Sequence, residues 1–364
     1  MNLRFPILLL LVSLFFSACQ SNNDVDEPTF DRANLLGNYA SNIFQPATQA
    51  VLNRTQALLK SVGTFRENPS AGTLKAAQDR WDATYRAWLR VSTLNFGPGG
   101  TEGLRRTLVE EVALWPVNTA GVEQKLSEEA PSVTDGKRNT RGLLAVEYLL
   151  FGLGSDEAAV AQFTDARFTY LEIVVNKLLE DFERLSTAWN GAYGEQFIAA
   201  TGTDVKSSST QMFNELNRSL EALRDVKFAI PMGLIAGQSK AQPELAEARF
   251  SRNSLAYLQL HYQAIVDQWY GRSLAGEDGV GWEEYLLSVP EGPRLVQKIK
   301  DQFTIVETLF DQLPEGASLQ DLAQEPPAEI TQLQQALQQL TRYLKSDSSS
   351  LLSLAITFST GDGD

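Results

Sequence analysis

The chain has 364 residues, with 31 basic side chains against 45 acidic ones (formal charge −14), one histidine and one cysteine. That balance disfavours nucleic acid and anionic lipid headgroups as partners, since both are polyanions. One cysteine excludes a disulfide framework and a thiolate cage, and one histidine excludes a His-rich zinc site.

At the N-terminus, Arg4 precedes an apolar run from Pro6 to Phe16, followed by Ser17-Ala18-Cys19. The run is shorter than the ~20 residues a spanning helix needs, so residues 1–19 are expected to be a signal peptide. Small residues before Cys19 and polar ones after it resemble the lipobox of bacterial lipoproteins. That resemblance implies cleavage, an acylated Cys19, and a membrane partnership through the lipid. The alternative is an ordinary secretory signal with an incidental cysteine. Residues 20–31, polar and acidic, are expected to form a disordered tether.

Beyond residue 31 the apolar spacing is helical. Phe168, Leu171, Val175, Leu178, Phe182, Leu185 and Trp189 alternate steps of three and four. The same steps recur over 255–269, 296–313 and 333–344, and alternating strand patterns are scarce. The spacing predicts an all-α protein. Breaks are expected at Asn68-Pro69-Ser70 (with Ser70 a candidate cap), Phe96 to Gly100, 128–139, 202–204, 241–243, 276–281 and 314–316. The polar stretch 202–210 is the best boundary between two packed helical bundles, 32–200 and 205–358, with one continuous bundle as the alternative.

Residues 142–152 place one carboxylate, Glu147, inside an apolar stretch bounded by glycines. A lone acid there must face water, find a partner or raise its pKa. Gly142 precedes Glu147-Tyr148-Leu149-Leu150 by five residues, and Gly279 precedes Glu284-Tyr285-Leu286-Leu287 by the same five. This echo suggests an internal duplication, with Glu147 buried or lining a cleft and Glu284 more exposed. The loop Asn95 to Gly100, with Phe96 and Pro98, follows an aromatic helix (Trp81, Tyr85, Trp88), and Trp115-Pro116 comes soon after; these segments wall a pocket or form a packed connection. His261 falls beside the Leu258–Tyr262 seam. A serine triad would need it as base, but a lone histidine on an amphipathic helix is expected at the edge of the core.

Together these segments resemble the imelysin-like family of bacterial envelope proteins, which includes a peptidase-type member and iron-uptake-associated lipoproteins. The matching blocks are Trp88 with Phe96-Gly97-Pro98; Trp115-Pro116; Arg141-Gly142 to Gly152; Pro231-Met232-Gly233; Ser251 to Ser254 with Tyr270-Gly271; and the tail with Ile356-Thr357-Phe358 and Asp362-Gly363-Asp364. The family's signature is Gly-x-His-x-x-Glu. Here Gly142 and Glu147 fit, but Leu144 stands at the histidine position, which removes a ligand or base and dries the surroundings of Glu147.

The resemblance implies an envelope-anchored, non-enzymatic binding protein at the outer membrane, on its periplasmic or surface face. Its ligand would be small or iron-related, held at an interdomain cleft by Glu147, Arg141, Gly142, Trp115, Phe96, Pro98, Ser251 and Asn253. Iron, zinc or calcium is the metal the resemblance would bring, without histidine or cysteine ligands to support it, and no catalytic residue is assigned. The competing readings are an imelysin-type peptidase, which the missing histidine disfavours, and a scaffold with a decayed site.

Overall fold

In the computed structural model, which describes residues 30–100, 107–134 and 137–356, every regular element is helical. No strand occurs among the described residues, as the apolar spacing predicts. The signal segment with Cys19, the tether to residue 29 and the tail from residue 357 lie outside them.

The chain opens with α1 (Arg32–Asn38), which runs through a π turn at Tyr39–Phe44 into α2 (Gln45–Glu67). Pro69 stops α2, and α3 (Ala71–Val91) starts where the Ser70 hydroxyl accepts the Thr73 N–H at 3.2 Å, as capping chemistry requires. Short helices follow: α4 (Leu108–Val112), α5 (Thr119–Leu126), α6 (Leu143–Phe151) and α7 (Glu157–Val160). The seam at 168–189 lies on α8 (Asp165–Trp189), followed by α9 (Ala192–Ala199). Next, α10 (Ser208–Glu221) passes through a second π turn, Ala222–Ala229, into α11 (Ile230–Met232). The remaining seams fall on α12 (Ser254–Trp269), α14 (Gly292–Asp311) and α16 (Ala328–Thr341), with short α13 (Trp282–Leu287), α15 (Leu319–Gln324) and α17 (Ser348–Leu352) around them.

Packing follows the seams. Helix α2 lies along α3 and α8, and α6 rests on α3 and α8. In the later half α14 pairs with α16, while α10 touches α12 and α16. Helix α12 also packs on α3, and α1 on α9 and α10. The indoles of Trp81, Trp88, Trp189, Trp269 and Trp282 are all fully buried. Burying one such side chain contributes on the order of 2–3 kcal/mol. The polar stretch before α10 is not an open linker: Ser209 and Thr210 are buried, and their hydroxyls donate to the carbonyls of Gly202 at 2.7 Å and Thr203 at 2.9 Å.

The two echoing elements have different surroundings. On α6, Glu147 is 1 % exposed. On α13, Glu284 is half-buried and accepts the N–H of Gly281, the residue preceding that helix, at 2.7 Å. Helix α13 rests on α14, α17 and α12, whereas α6 rests on α3 and α8. An internal duplication is not shown by these contacts. The tyrosines after each acid pack their rings and keep their hydroxyls on polar groups. Tyr148 donates to Glu123 at 2.7 Å, and Tyr285 accepts from Arg32 at 3.3 Å.

Candidate functional site

Gly142 sets the geometry of α6. Its φ is +84°, and a Cβ there would lie 2.4 Å from the Val112 carbonyl oxygen, so only glycine fits. The helix that begins at Leu143 then carries Glu147 into the interior. Its carboxylate accepts the Ser251 N–H at 2.7 Å from 104 positions away, and Phe250 and the Ser251 side chain also act on it as donors. Burial pushes the Glu147 carboxyl up to about 7; the Ser251 hydrogen bond pulls the other way without cancelling it, and nearby Glu247 adds to the rise. Desolvation wins because the few neutral donors of Ser251 and Phe250 do not replace a full hydration shell.

Ser251 is presented by a loop that follows the break at Ala241-Gln242-Pro243. Two non-glycine residues in this loop, Ala248 (φ 52°) and Arg252 (φ 58°), sit in the left-handed region. Such conformations cost of order 1–3 kcal/mol each and persist where the surroundings impose them. The Ser251 hydroxyl donates to the Ala248 carbonyl at 3.0 Å, which helps hold the turn.

A cavity of about 200 Å³ opens beside Glu147, walled by Trp115, Leu144 and Ala246, with Glu244 and Arg249 at its polar side. Glu244 is exposed, whereas the Arg249 guanidinium lies over the Phe250 ring at 4.6 Å and donates to the Glu244 carbonyl at 3.1 Å. The Trp115 indole N–H is buried and has no hydrogen-bond partner. The cavity is therefore lined by a desolvated acid and by an indole whose buried N–H is unpartnered, on otherwise largely apolar walls, the usual composition of a small-molecule site.

The other expected site residues are placed elsewhere. Arg141 is buried, but its guanidinium pairs with Glu111 at 2.6 Å and also donates to the Val133 carbonyl, so it does not neutralise Glu147. Phe96 belongs to an aromatic cluster with Phe44, Trp189 and Phe197. Pro98 lies in the turn Gly97–Gly99. Asn253 precedes α12, and its amide reaches the Tyr257 hydroxyl at 3.4 Å. Thus Glu147, Trp115 and Ser251 come together, while Phe96, Pro98, Arg141 and Asn253 do not line this cavity. Glu244, Arg249 and Glu247 complete the surroundings, and nothing local in the sequence marks them beyond the nearby proline break.

His261 is not at the edge of the core but 2 % exposed inside it, 2.7 Å from the Ser219 hydroxyl. Among the described residues no three His, Cys, Asp or Glu side chains are grouped to hold a metal ion. Glu147 and Glu244 alone do not make a resident metal centre, which takes at least three protein ligands in the usual zinc or calcium geometries. No helix among the described residues is long and apolar enough to cross a membrane.

Comparison with known proteins places this architecture. The curated relative Iron-regulated protein A of Synechococcus elongatus is 22% identical over 315 residues, covering 84% of this chain and 81% of the relative. A crystal structure described as a candidate iron-regulated protein A precursor from Parabacteroides distasonis superposes with a TM-score of 0.73 at 17% identity, covering 89% of this chain and 96% of the other. An Imelysin-like protein from Psychrobacter arcticus gives 0.70 at 17% identity, covering 90% and 97%. At these identities the structural matches establish the fold alone. The family model described as Imelysin (Peptidase_M75) matches residues 44–346. With that span covering most of the chain, this protein belongs to the imelysin family.

Proposed function

We propose that this chain is a lipid-anchored envelope protein that binds, without chemical turnover, a small iron-related ligand against Glu147. The two halves, 32–200 and 205–358, supply the two walls: α6 and Trp115 from one, the loop 244–251 from the other. The observation that carries this reading is the pairing in one cavity of the desolvated Glu147 carboxyl with the unpartnered Trp115 N–H. A guest with a hydroxyl or protonated carboxyl to donate to Glu147 and an acceptor for Trp115 would satisfy both, and unmet hydrogen-bonding groups of this kind cost about 1–3 kcal/mol each. The donor set favours a chelate or small organic molecule over a bare ion, because too few carboxylates converge to replace an ion's hydration. The name of the Synechococcus relative records a response to iron, and that supplies the iron context.

The test is calorimetric titration of the full chain with ferric citrate, alongside free iron, zinc, copper and calcium salts. Saturable binding of ferric citrate, weakened about tenfold in Trp115→Phe while stability stays within about 1 kcal/mol, is the expected result. Absence of saturation by ferric citrate, or wild-type affinity in both Trp115→Phe and Glu147→Ala, would overturn the reading. Chelator-sensitive cleavage of a protein substrate, lost in Glu147→Ala, would favour the peptidase instead.

A further inference from the structure

A second cavity of about 190 Å³ lies between the Trp88 end of α3, residues 107–113, and the α10 to α12 region. Its apolar lining includes Trp88, Val109 and Ala222. Six of its polar side chains come as three preformed pairs. Lys227 meets Glu247 at 2.9 Å, Arg218 pairs with Glu215, and the Ser219 hydroxyl lies 2.7 Å from His261 Nε2. The π turn Ala222–Ala229 re-aims the chain here and carries both Ala222 and Lys227. Such turns recur at functional sites because they displace side chains from regular helical register.

Two features mark this cavity as built for an occupant. His261 is 2 % exposed, yet its Nδ1 has no hydrogen-bond partner. Buried polar atoms are rarely left so without a function or a guest. The Glu215 carboxyl is pushed up to about 7 by burial even though Arg218 and Asn95 act against the rise. Lys227, by contrast, sits close enough to His261 to help hold the imidazole neutral, after burial itself. The cavity is thus lined by a buried carboxylate, Glu215, and by the Lys227 ammonium and the Ser219–His261 pair.

We propose that this cavity binds a small zwitterion of the amino-acid type, its ammonium taken at Glu215 and its carboxylate at Lys227 and at the Ser219–His261 pair, which has one proton left to donate. A guest of net zero charge keeps the two ion pairs balanced, whereas a guest of one sign leaves a buried charge uncompensated. The space of about 190 Å³ equals about six waters at ~30 Å³ each, room enough to admit alanine or serine. The side chain of the guest would lie on Trp88 and Val109.

The full chain would be titrated calorimetrically with glycine, L-alanine and L-serine, with acetate and methylammonium as single-charge controls. At least one zwitterion should saturate at one site with a Kd of roughly 1 mM or tighter, and both controls should bind about tenfold more weakly or not at all. Ala222→Phe, which plugs the cavity, should abolish binding while retaining a cooperative melt. Ser219→Ala, a smaller change in case the plug disturbs folding, should weaken binding several-fold. No saturation by any of the three zwitterions up to about ten times that Kd would overturn the proposal. So would controls binding as tightly as alanine, or unchanged binding in both variants.

Discussion

Glu147 and Ser251 meet across 104 positions of sequence, a buried carboxylate on α6 accepting the backbone N–H of a strained loop at 2.7 Å. The contact joins the two halves of the chain at the cavity wall. It also leaves the acid under-solvated, and that has measurable consequences.

For Glu147 the folded state holds the proton more tightly than the unfolded chain, with a pKa of about 7 against an ordinary 4.5. Stability is therefore full below pH 4.5 and falls as pH rises through 7, by on the order of 3 kcal/mol in total. Glu147→Gln keeps a neutral acceptor for Ser251 and removes this loss. Urea denaturation from pH 5 to 8 should show the variant gaining on the wild type as pH rises. A difference that stays flat across that range would contradict the buried, poorly compensated carboxyl.

Gly142→Ala forces a side chain into a left-handed backbone with its Cβ 2.4 Å from the Val112 carbonyl oxygen. Backbone cannot yield as a flexible side chain would. The expected cost is roughly 1–3 kcal/mol from the backbone conformation alone, read as a lowered melting temperature. A variant as stable as the wild type would show that α6 does not depend on this approach.

Arg141 is tied into the fold by its own partners. Its guanidinium is largely buried and bonded to Glu111 and the Val133 carbonyl. Removing one partner strands the other, so Arg141→Ala should cost roughly 3–5 kcal/mol. Arg141→Ala combined with Glu111→Gln should recover part of it, and a double-mutant cycle would measure the coupling. Strict additivity of the two changes would argue against the pair.

Cys19 lies outside the described residues, and the expectation there rests on the lipobox resemblance. Cys19→Ser should move the protein from the membrane fraction to the soluble fraction. Retention in the membrane would remove the anchor from the proposed function.

The sequence by itself determined the helical class, because a three-and-four apolar spacing suits one face of a helix and few other structures. It placed α8, α12, α14 and α16 within a few residues, and it marked Ser70 as a cap and Glu147 as an anomaly, since local pattern and side-chain chemistry suffice for these. What it left undecided was which groups meet. Arg141 and Glu147 are near neighbours in the chain, yet the positive φ of Gly142 between them sends the guanidinium to Glu111 and the carboxyl inward. Ser251, Glu244 and Glu247 reach the site by packing of the two halves, a long-range event that no local spacing records. His261 carries the same lesson: its helix face predicts the edge of the core, but α10 with the π turn after it covers that face, and Ser219 becomes its partner. Only the tertiary structure decided these pairings, because burial and partner choice depend on which elements pack together rather than on how each one is spelled.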